Sequence, residues 1–400
     1  LPLGSDMDLL VDATALKAVN TYANEHPLVA KTRVFKQSFM EHLELHFVDG
    51  GFLALDLLTD IRRKALRLMD AAALLDRAET DAYGMKRLPL TAQLEYGLLF
   101  YGLNRHPLPQ KLTQVFLELS LEARTRFISE MRARYDLRLS QLHLRGVTKG
   151  RVRQLRKRLL QQQGNAWSKR PQLAFQYLRD VVRRFRHNPG MVITFSGVDG
   201  AGKSTILEAT SEAMGNAYRR KVKVLRHRPS LLPILSTLRY GRKGAEQRAA
   251  DTLPRQGGNR NVLSSAFRFG WYYMDYLVGQ WYIWARYTRR GYVVLYDRYY
   301  FDMIADPERS NFRLPAGLIR FAGRFIRKPA LNFLLTADTE TIRRRKQELP
   351  SADIELLTRR YRNLFREMSD SAPTARFISL HNLGIDTSVD RILQAYRQAL

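Results

Sequence analysis

The stretch Gly197-Val-Asp-Gly-Ala-Gly-Lys203-Ser204 constrains this chain more than any other. It satisfies the spacing G-x-x-x-x-G-K-[ST]. The apolar run MVITFSG before it reads as a buried strand, and the segment after it reads as a helix. Glycines let main-chain N–H groups approach an anion, and the start of the following helix adds positive potential. Such a cradle binds a polyphosphate. It runs through Gly197, Val198, Asp199, Gly200, Ala201, Gly202, Lys203, Ser204 and Thr205. The Lys203 ammonium is placed for β- and γ-oxygens and the Ser204 hydroxyl for Mg²⁺. ATP and Mg²⁺ are therefore the expected cofactors.

Downstream, KVKVLRH, YVVLYD, LNFLLTAD and RFISLHN alternate with helical segments, the pattern of a parallel α/β sheet. Asp297 closes YVVLYD, and ligands of open α/β sheets sit at the carboxyl ends of the strands. Asp297-Arg298 is then a candidate site pair; the plainer reading is a local ion pair. One helix, SSAFRFGWYYMDYLVGQWYIWARYT, holds ten aromatics, with Phe269, Tyr272, Tyr273, Tyr276 and Trp284 at helical spacing. A core stripe is the first reading and a stacking wall for a sugar or base the second.

GVDGAGKST followed by VVLYDRYYFD resembles the thymidylate kinase branch of the nucleoside monophosphate kinases, over about residues 190–400. The resemblance implies a P-loop kinase. Asp199 would lie beside the acceptor or the transferred phosphoryl, Asp297 would help hold Mg²⁺ and water or orient the acceptor, and Arg298 would grip an acceptor oxygen. Arg228, in RHRP, stands where the family places an acceptor-binding arginine. TIRRRKQELP matches the family's lid, which makes Arg343, Arg345 and Lys346 candidates to close over the phosphates. Each of the three reads equally well as a solvated helix residue. Expected catalytic residues are Lys203, Asp199, Asp297, Arg298 and Arg345; expected acceptor contacts are Arg228, Arg298, Arg343 and Lys346.

The departures matter as much. The family's Ser and Ala-Tyr element after Asp-Arg is replaced by YYFDMIADPERSNFR, its Glu before the loop is Ser196, and a long polar stretch spans 239–261. The transfer equipment is kept and the thymidine-reading part is not. RHRPSLLP, DRYYFDMIADPER and RKQELP resemble a divergent thymidylate-kinase-like group that accompanies bacterial surface-polysaccharide biosynthesis. That implies a sugar or glycolipid precursor as acceptor; a nucleoside monophosphate acceptor is the alternative.

The residues ahead of the loop suggest a second module. MDLLVD reads as a strand, ATALKAVNTYANEH as a helix, and HLELHFVDGGFLALDLLTD as a hairpin turning at Asp49-Gly50-Gly51. Residues i and i+2 of a strand share a face, so Asp6 and Asp8 can chelate one metal, with Asp56, or else Glu44, as third acid. GSDMDLLV resembles the nucleotidyltransferase superfamily of DNA polymerase β, which implies a helix and strand ahead of Leu1. The Gly-Ser pair abuts Asp6, closer than in typical members. His46 reads as structural. The expected organisation is a partial α+β nucleotidyltransferase-like module (1–60), a helical region (61–188) and an α/β P-loop domain (189–400).

Composition sets the outer limits. There is no cysteine, so disulfides and thiolate metal sites are excluded, in keeping with a reducing cytoplasm. No apolar run approaches the ~18 residues of a spanning helix. The net charge of +28 attracts polyanions: nucleic acid, an anionic membrane face or phosphorylated metabolites. Its densest block, from Lys149 to His187, holds twelve Lys/Arg and one acid, Asp180. It reads as solvated helix faces, as a membrane-surface contact or, less well, as a nucleic-acid contact. Beside the kinase reading stand a nucleic-acid end-processing enzyme and a nucleotide-dependent scaffold on a membrane.

Overall fold

A computed structural model describes residues 7–82, 84, 86–139, 152–187, 190–216, 218, 220–229, 231–232, 262–346 and 349–400. Asp6, the Asn188-Pro189 break and the polar stretch 239–261 lie outside the described residues. Contacts divide the chain into two units between Arg183 and Arg184.

The first unit opens with β1 (Met7–Leu10), α1 (Ala13–Glu25), β2 (Val29–Lys36), β3 (Met40–Phe47) and β4 (Phe52–Leu58). They form a sheet of order β1-β4-β3-β2, in which β1 runs parallel to β4 and the other pairs are antiparallel. Asp12 caps α1, its carboxylate accepting the Ala15 N–H at 2.7 Å. The hairpin turn has Gly50 at φ +90° and the Gly51 N–H on the Asp49 carboxylate at 2.8 Å. Leu43, Leu45, Leu55 and Leu57 pack with Ala23 beneath the sheet. β2 was not expected from sequence. It is an edge strand, and its lysines and arginine, which suit an edge, mask its alternation.

The region after Ile61 reads as overwhelmingly helical, interrupted at RHPLPQ and GNAWSKRPQ, and at its start the structure differs. It begins with a hairpin, β5 (Ile61–Arg63) and β6 (Leu66–Met69). After α2 (Ala71–Asp76) comes a two-residue ribbon, β7 (Glu79–Thr80) with β8 (Lys86–Arg87). Strands this short complete no readable period, and tertiary bonds hold them. The buried Asn165 side chain accepts the Arg67 N–H at 2.9 Å and donates to the Arg67 carbonyl at 2.8 Å, as a neighbouring strand would. Helices then follow: α3 (Leu90–Asn104), α4 (Gln110–Glu118), α5 (Leu121–Tyr135), α6 (Val152–Gln161) and α7 (Arg170–His187). Leu94, Leu98, Phe116, Phe127, Met131 and Leu155 make their core. Asp180, the one acid of the basic block, is buried and accepts the Ser38 N–H at 2.8 Å and the Ser38 hydroxyl at 2.5 Å.

The second unit contains β9 (Met191–Ser196), α8 (Lys203–Asn216), β10 (Val222–Arg226), α9 (Val262–Arg286), β11 (Val293–Asp297), α10 (Tyr300–Ala305) and α11 (Ala316–Ala322). It continues with β12 (Leu331–Thr336), α12 (Thr339–Arg345), α13 (Ser351–Ser371), β13 (Arg376–His381) and α14 (Ile385–Ala399). The five strands are all parallel, in the order β10-β11-β9-β12-β13. The crossover from β9 runs one way, to β10, and the one from β11 runs the other way, past β9 to β12. The strand entering the phosphate loop thus borders the switch point of the sheet, where the carboxyl ends open a crevice. Ile193, Phe195, Phe333 and Leu334 are fully buried, as a sheet covered on both faces requires. One polar pair crosses this layer, the Thr194 hydroxyl donating to the Asn332 amide oxygen at 2.8 Å.

Because Phe333 stacks on Phe195 at 5.8 Å under the loop, Phe333→Ala is expected to destabilise the second unit by about 3–5 kcal/mol. Urea unfolding followed by hydrogen exchange in β9 and β12 measures it.

Candidate functional site

The loop between β9 and α8 takes a shape that only glycine permits at three places. Gly197, Gly200 and Gly202 have φ of +139°, +89° and +90°. A Cβ on Gly197 would meet the Leu335 carbonyl at 2.3 Å, and one on Gly202 would meet Asn382 Nδ2 at 2.4 Å. Asn382, just beyond β13, also donates to the Ala201 carbonyl at 2.9 Å and so braces the loop from its far side. Val198 and Ala201 are buried, whereas Ser204 and Thr205 are exposed on the first turn of α8.

Lys203 is turned back into this loop. Its ammonium donates to the Gly197 and Val198 carbonyls at 2.9 Å each and lies 3.6 Å from Asp199. Burial pushes its pKa well down and the Arg298 charge adds to that, against Asp302 and Asp297. A further anion at the loop would reverse the balance.

Across the crevice, Ser204 Oγ donates to Asp297 Oδ2 at 3.4 Å, while Asp297 Oδ1 is buried with no hydrogen-bond partner. Two hard oxygen ligands side by side, one with an unsatisfied acceptor, suit Mg²⁺. The residues fit the ion that the motif implies.

Arg298 is the most heavily engaged group. It adopts φ +73°, donates its N–H to the Phe195 carbonyl at 2.8 Å, and is only 4% exposed. Its guanidinium donates to Asp302 at 2.9 Å and pairs with Asp199, which also pairs with Arg309. Burial works against its charge, but Asp302, followed by Tyr361, Asp297 and Asp306, raises its pKa above the ordinary value. Asp302 also accepts from Ser196 Oγ at 2.7 Å, Tyr361 Oη at 2.8 Å and the Tyr299 N–H at 3.1 Å. Sequence reasoning missed Asp302, Arg309 and Asn382. The spacing of Asp302 four residues after Arg298, matching one helical turn, was the available signal.

The remaining candidates divide. Arg345 Nη1 reaches the Gly200 carbonyl at 3.5 Å, and Lys346 packs beside Gly200, so both border the loop. Arg343 instead donates to Ser351 Oγ at 3.2 Å, at the start of α13. Arg228 is buried, donates to Asp275 at 3.2 Å and lies 4.7 Å from the Tyr272 ring centroid, both on α9. Asp275, fully buried, also accepts the Leu231 and Leu232 N–H groups. Phe269 and Tyr276 enter the core and Tyr272 and Tyr273 pack against it, as the stripe reading expects, whereas Trp284, the fifth position, is only half-buried and packs edge-on against the exposed Trp281.

In the first unit, β1 and β4 bring Asp8 and Asp56 into direct register, and β3 sets His42 opposite Asp56. His42 Nδ1 lies 2.5 Å from Asp56 Oδ1, and Nε2 lies 3.4 Å from Glu44, which also pairs with Arg33. Burial alone would lower the His42 pKa. Bonds to Asp56 and Glu44 outweigh it and raise the value to about 9. Tyr96 is raised to about 12 by burial and by Asp8. His46 is buried against the Phe52 ring. Among the described residues no three of His, Asp and Glu converge on a metal position; Asp6 is outside them.

The strand order, the three left-handed glycines and the Ser204–Asp297 pair together decide the architecture. The second unit has a P-loop NTPase fold. Similar solved structures include thymidylate kinase from Ehrlichia chaffeensis, 16% identical, covering 52% of this chain and 99% of that one at a TM-score of 0.35. Thymidylate kinase from Candida albicans is 18% identical, covering 52% and 92% at 0.34. No protein-family model matches the chain, and no curated protein matches its sequence.

A His42 raised to about 9 from 6.5 stabilises the first unit fully below pH 6.5, and this contribution is lost as pH rises through about 9. Histidine NMR should show that midpoint, and Asp56→Asn should move it back toward the ordinary range.

Proposed function

We propose that the second unit transfers the γ-phosphoryl of ATP to a hydroxyl of a small acceptor, a sugar or glycolipid precursor. The observation that carries this is the pairing of the Ser204 hydroxyl with Asp297, whose second oxygen is buried without a partner, at the mouth of the glycine loop. Mg²⁺ held there would supply charge neutralisation for the β- and γ-phosphates. The loop N–H groups bind the phosphates, and Lys203 exchanges two carbonyl partners for phosphate oxygens. Arg345 and Lys346, already beside Gly200, face the charge that builds up as transfer proceeds. In the in-line step the acceptor oxygen bonds to the γ-phosphorus as the bridging bond to the β-phosphate breaks, and the hydroxyl proton is released to solvent. Asp199, held by Arg298 and Arg309, orients that hydroxyl.

The acceptor class rests on what replaces the thymidine-reading residues. Asp302 stands in the segment that departs from the thymidylate kinase pattern, and its oxygens are committed to Ser196, Arg298 and Tyr361. Lys203→Ala should lower ATP turnover by roughly 10²–10³-fold, read as acceptor-dependent ADP release across sugars, nucleotides and oligonucleotides. Undiminished turnover defeats the assignment. Turnover stimulated by dTMP or oligonucleotides alone defeats the acceptor class.

A second reading concerns the first unit and is favoured by the register of Asp8 with Asp56. Two carboxylates in register on adjacent parallel strands suit a metal-dependent nucleotidyl transfer; Asp6, the other acid expected there, lies outside the described residues. With labelled nucleoside triphosphates, incorporation should vanish in Asp56→Asn while the ATP turnover of the second unit persists.

A further inference from the structure

Helix α9 presents two unlike faces. One carries Tyr272, Asp275 and Tyr276 into the unit. The other carries Leu263, Phe267, Met274, Val278 and Trp281, all about half exposed or more, with Trp281 at 63% and Leu263 at 78%. These positions are spaced by four, seven, four and three residues, one or two helical turns each, so they form one stripe. The only acid on α9, Asp275, is fully buried.

A second exposed apolar element lies alongside. Leu318, Phe321 and Phe325, on α11 and the turn after it, are 48%, 55% and 60% exposed. Gln280 of α9 joins the two, accepting the Arg327 N–H at 2.8 Å, and the Arg313 N–H reaches Ser265 Oγ at 3.2 Å. Phe321 and Phe325 are interleaved with the exposed cations Arg320, Arg324 and Arg327. Arg320 is paired with Glu367, and Arg324 lies over the Phe321 ring at 5.6 Å.

Exposed Trp and Phe set among arginines, in a chain of net charge +28, call for a partner that is apolar inside and anionic outside. We propose that the α9–α11 face docks on an anionic lipid bilayer, with α9 lying in the plane of the interface. Among the described residues no helix is long and apolar enough to cross a membrane, so the contact is peripheral. Aromatic rings settle at headgroup depth and each nearby cation adds attraction to anionic lipid. Pairing with a second copy would instead bring two like-charged surfaces together.

The test is flotation of the full chain with vesicles of phosphatidylcholine alone and of phosphatidylcholine with an equal part of phosphatidylglycerol. Binding is expected only to the second kind, weakening as salt rises. Trp281→Ser with Phe325→Ser, and separately Arg324→Glu with Arg327→Glu, should each reduce partitioning by roughly tenfold. All four are exposed, so ATP turnover without vesicles should hold and serves as the folding control. Phe325→Ser alone, expected to lose part of the binding, stands in if the first pair misfolds. Equal binding by wild type and both pairs assigns the attraction to another basic surface and overturns the proposal. So does an absence of binding. Light scattering that shows a dimer broken by Trp281→Ser would make the occupant a second copy and overturn it too.

Discussion

A single buried guanidinium ties the second unit's site together. Arg298 is held by its main chain to the end of β9, by its side chain to Asp302 on α10 and by the same side chain to Asp199 in the loop. Two stretches distant in sequence, 195–199 and 298–302, thus share one charge. Removing a partner from such a pair strands an ion away from water, at a cost of about 3–5 kcal/mol, so the geometry is held firmly. Strain at φ +73° is part of the same arrangement: the left-handed turn lets the side chain fold back over the strand ends.

That network also explains the state of Lys203. Buried beside Arg298, the ammonium is satisfied by two carbonyls of its own loop. A polyphosphate would bring negative charge to a place where Lys203, Arg298, Arg345 and Lys346 already border the same glycine loop. Its glycines fix the path of the loop against Leu335 and Asn382.

The parallel sheet was legible because each strand is a short apolar run between helical segments. The first helix was legible from its spacing and the Asp49-Gly50-Gly51 hairpin from its turn chemistry. The β5–β6 hairpin was not, since its bonds come from Asn165, about a hundred residues further along. Nor was the role of Asp302, a residue that reads alone as a helix-capping acid. Only the meeting of β9, β11 and α13 shows that it gathers Ser196, Arg298 and Tyr361.

By itself, the sequence determined which atoms can meet a phosphate: spacing and residue type are enough, because a glycine loop between strand and helix is a local structure. Only the tertiary structure decided which cations border that loop. Arg345 and Lys346 lie beside Gly200 while Arg343 turns to Ser351, and Arg228 is bound to Asp275. A long charged side chain has many rotamers of similar energy, and what selects one is the partner that the fold brings near, about which neighbouring residues in the chain carry no information.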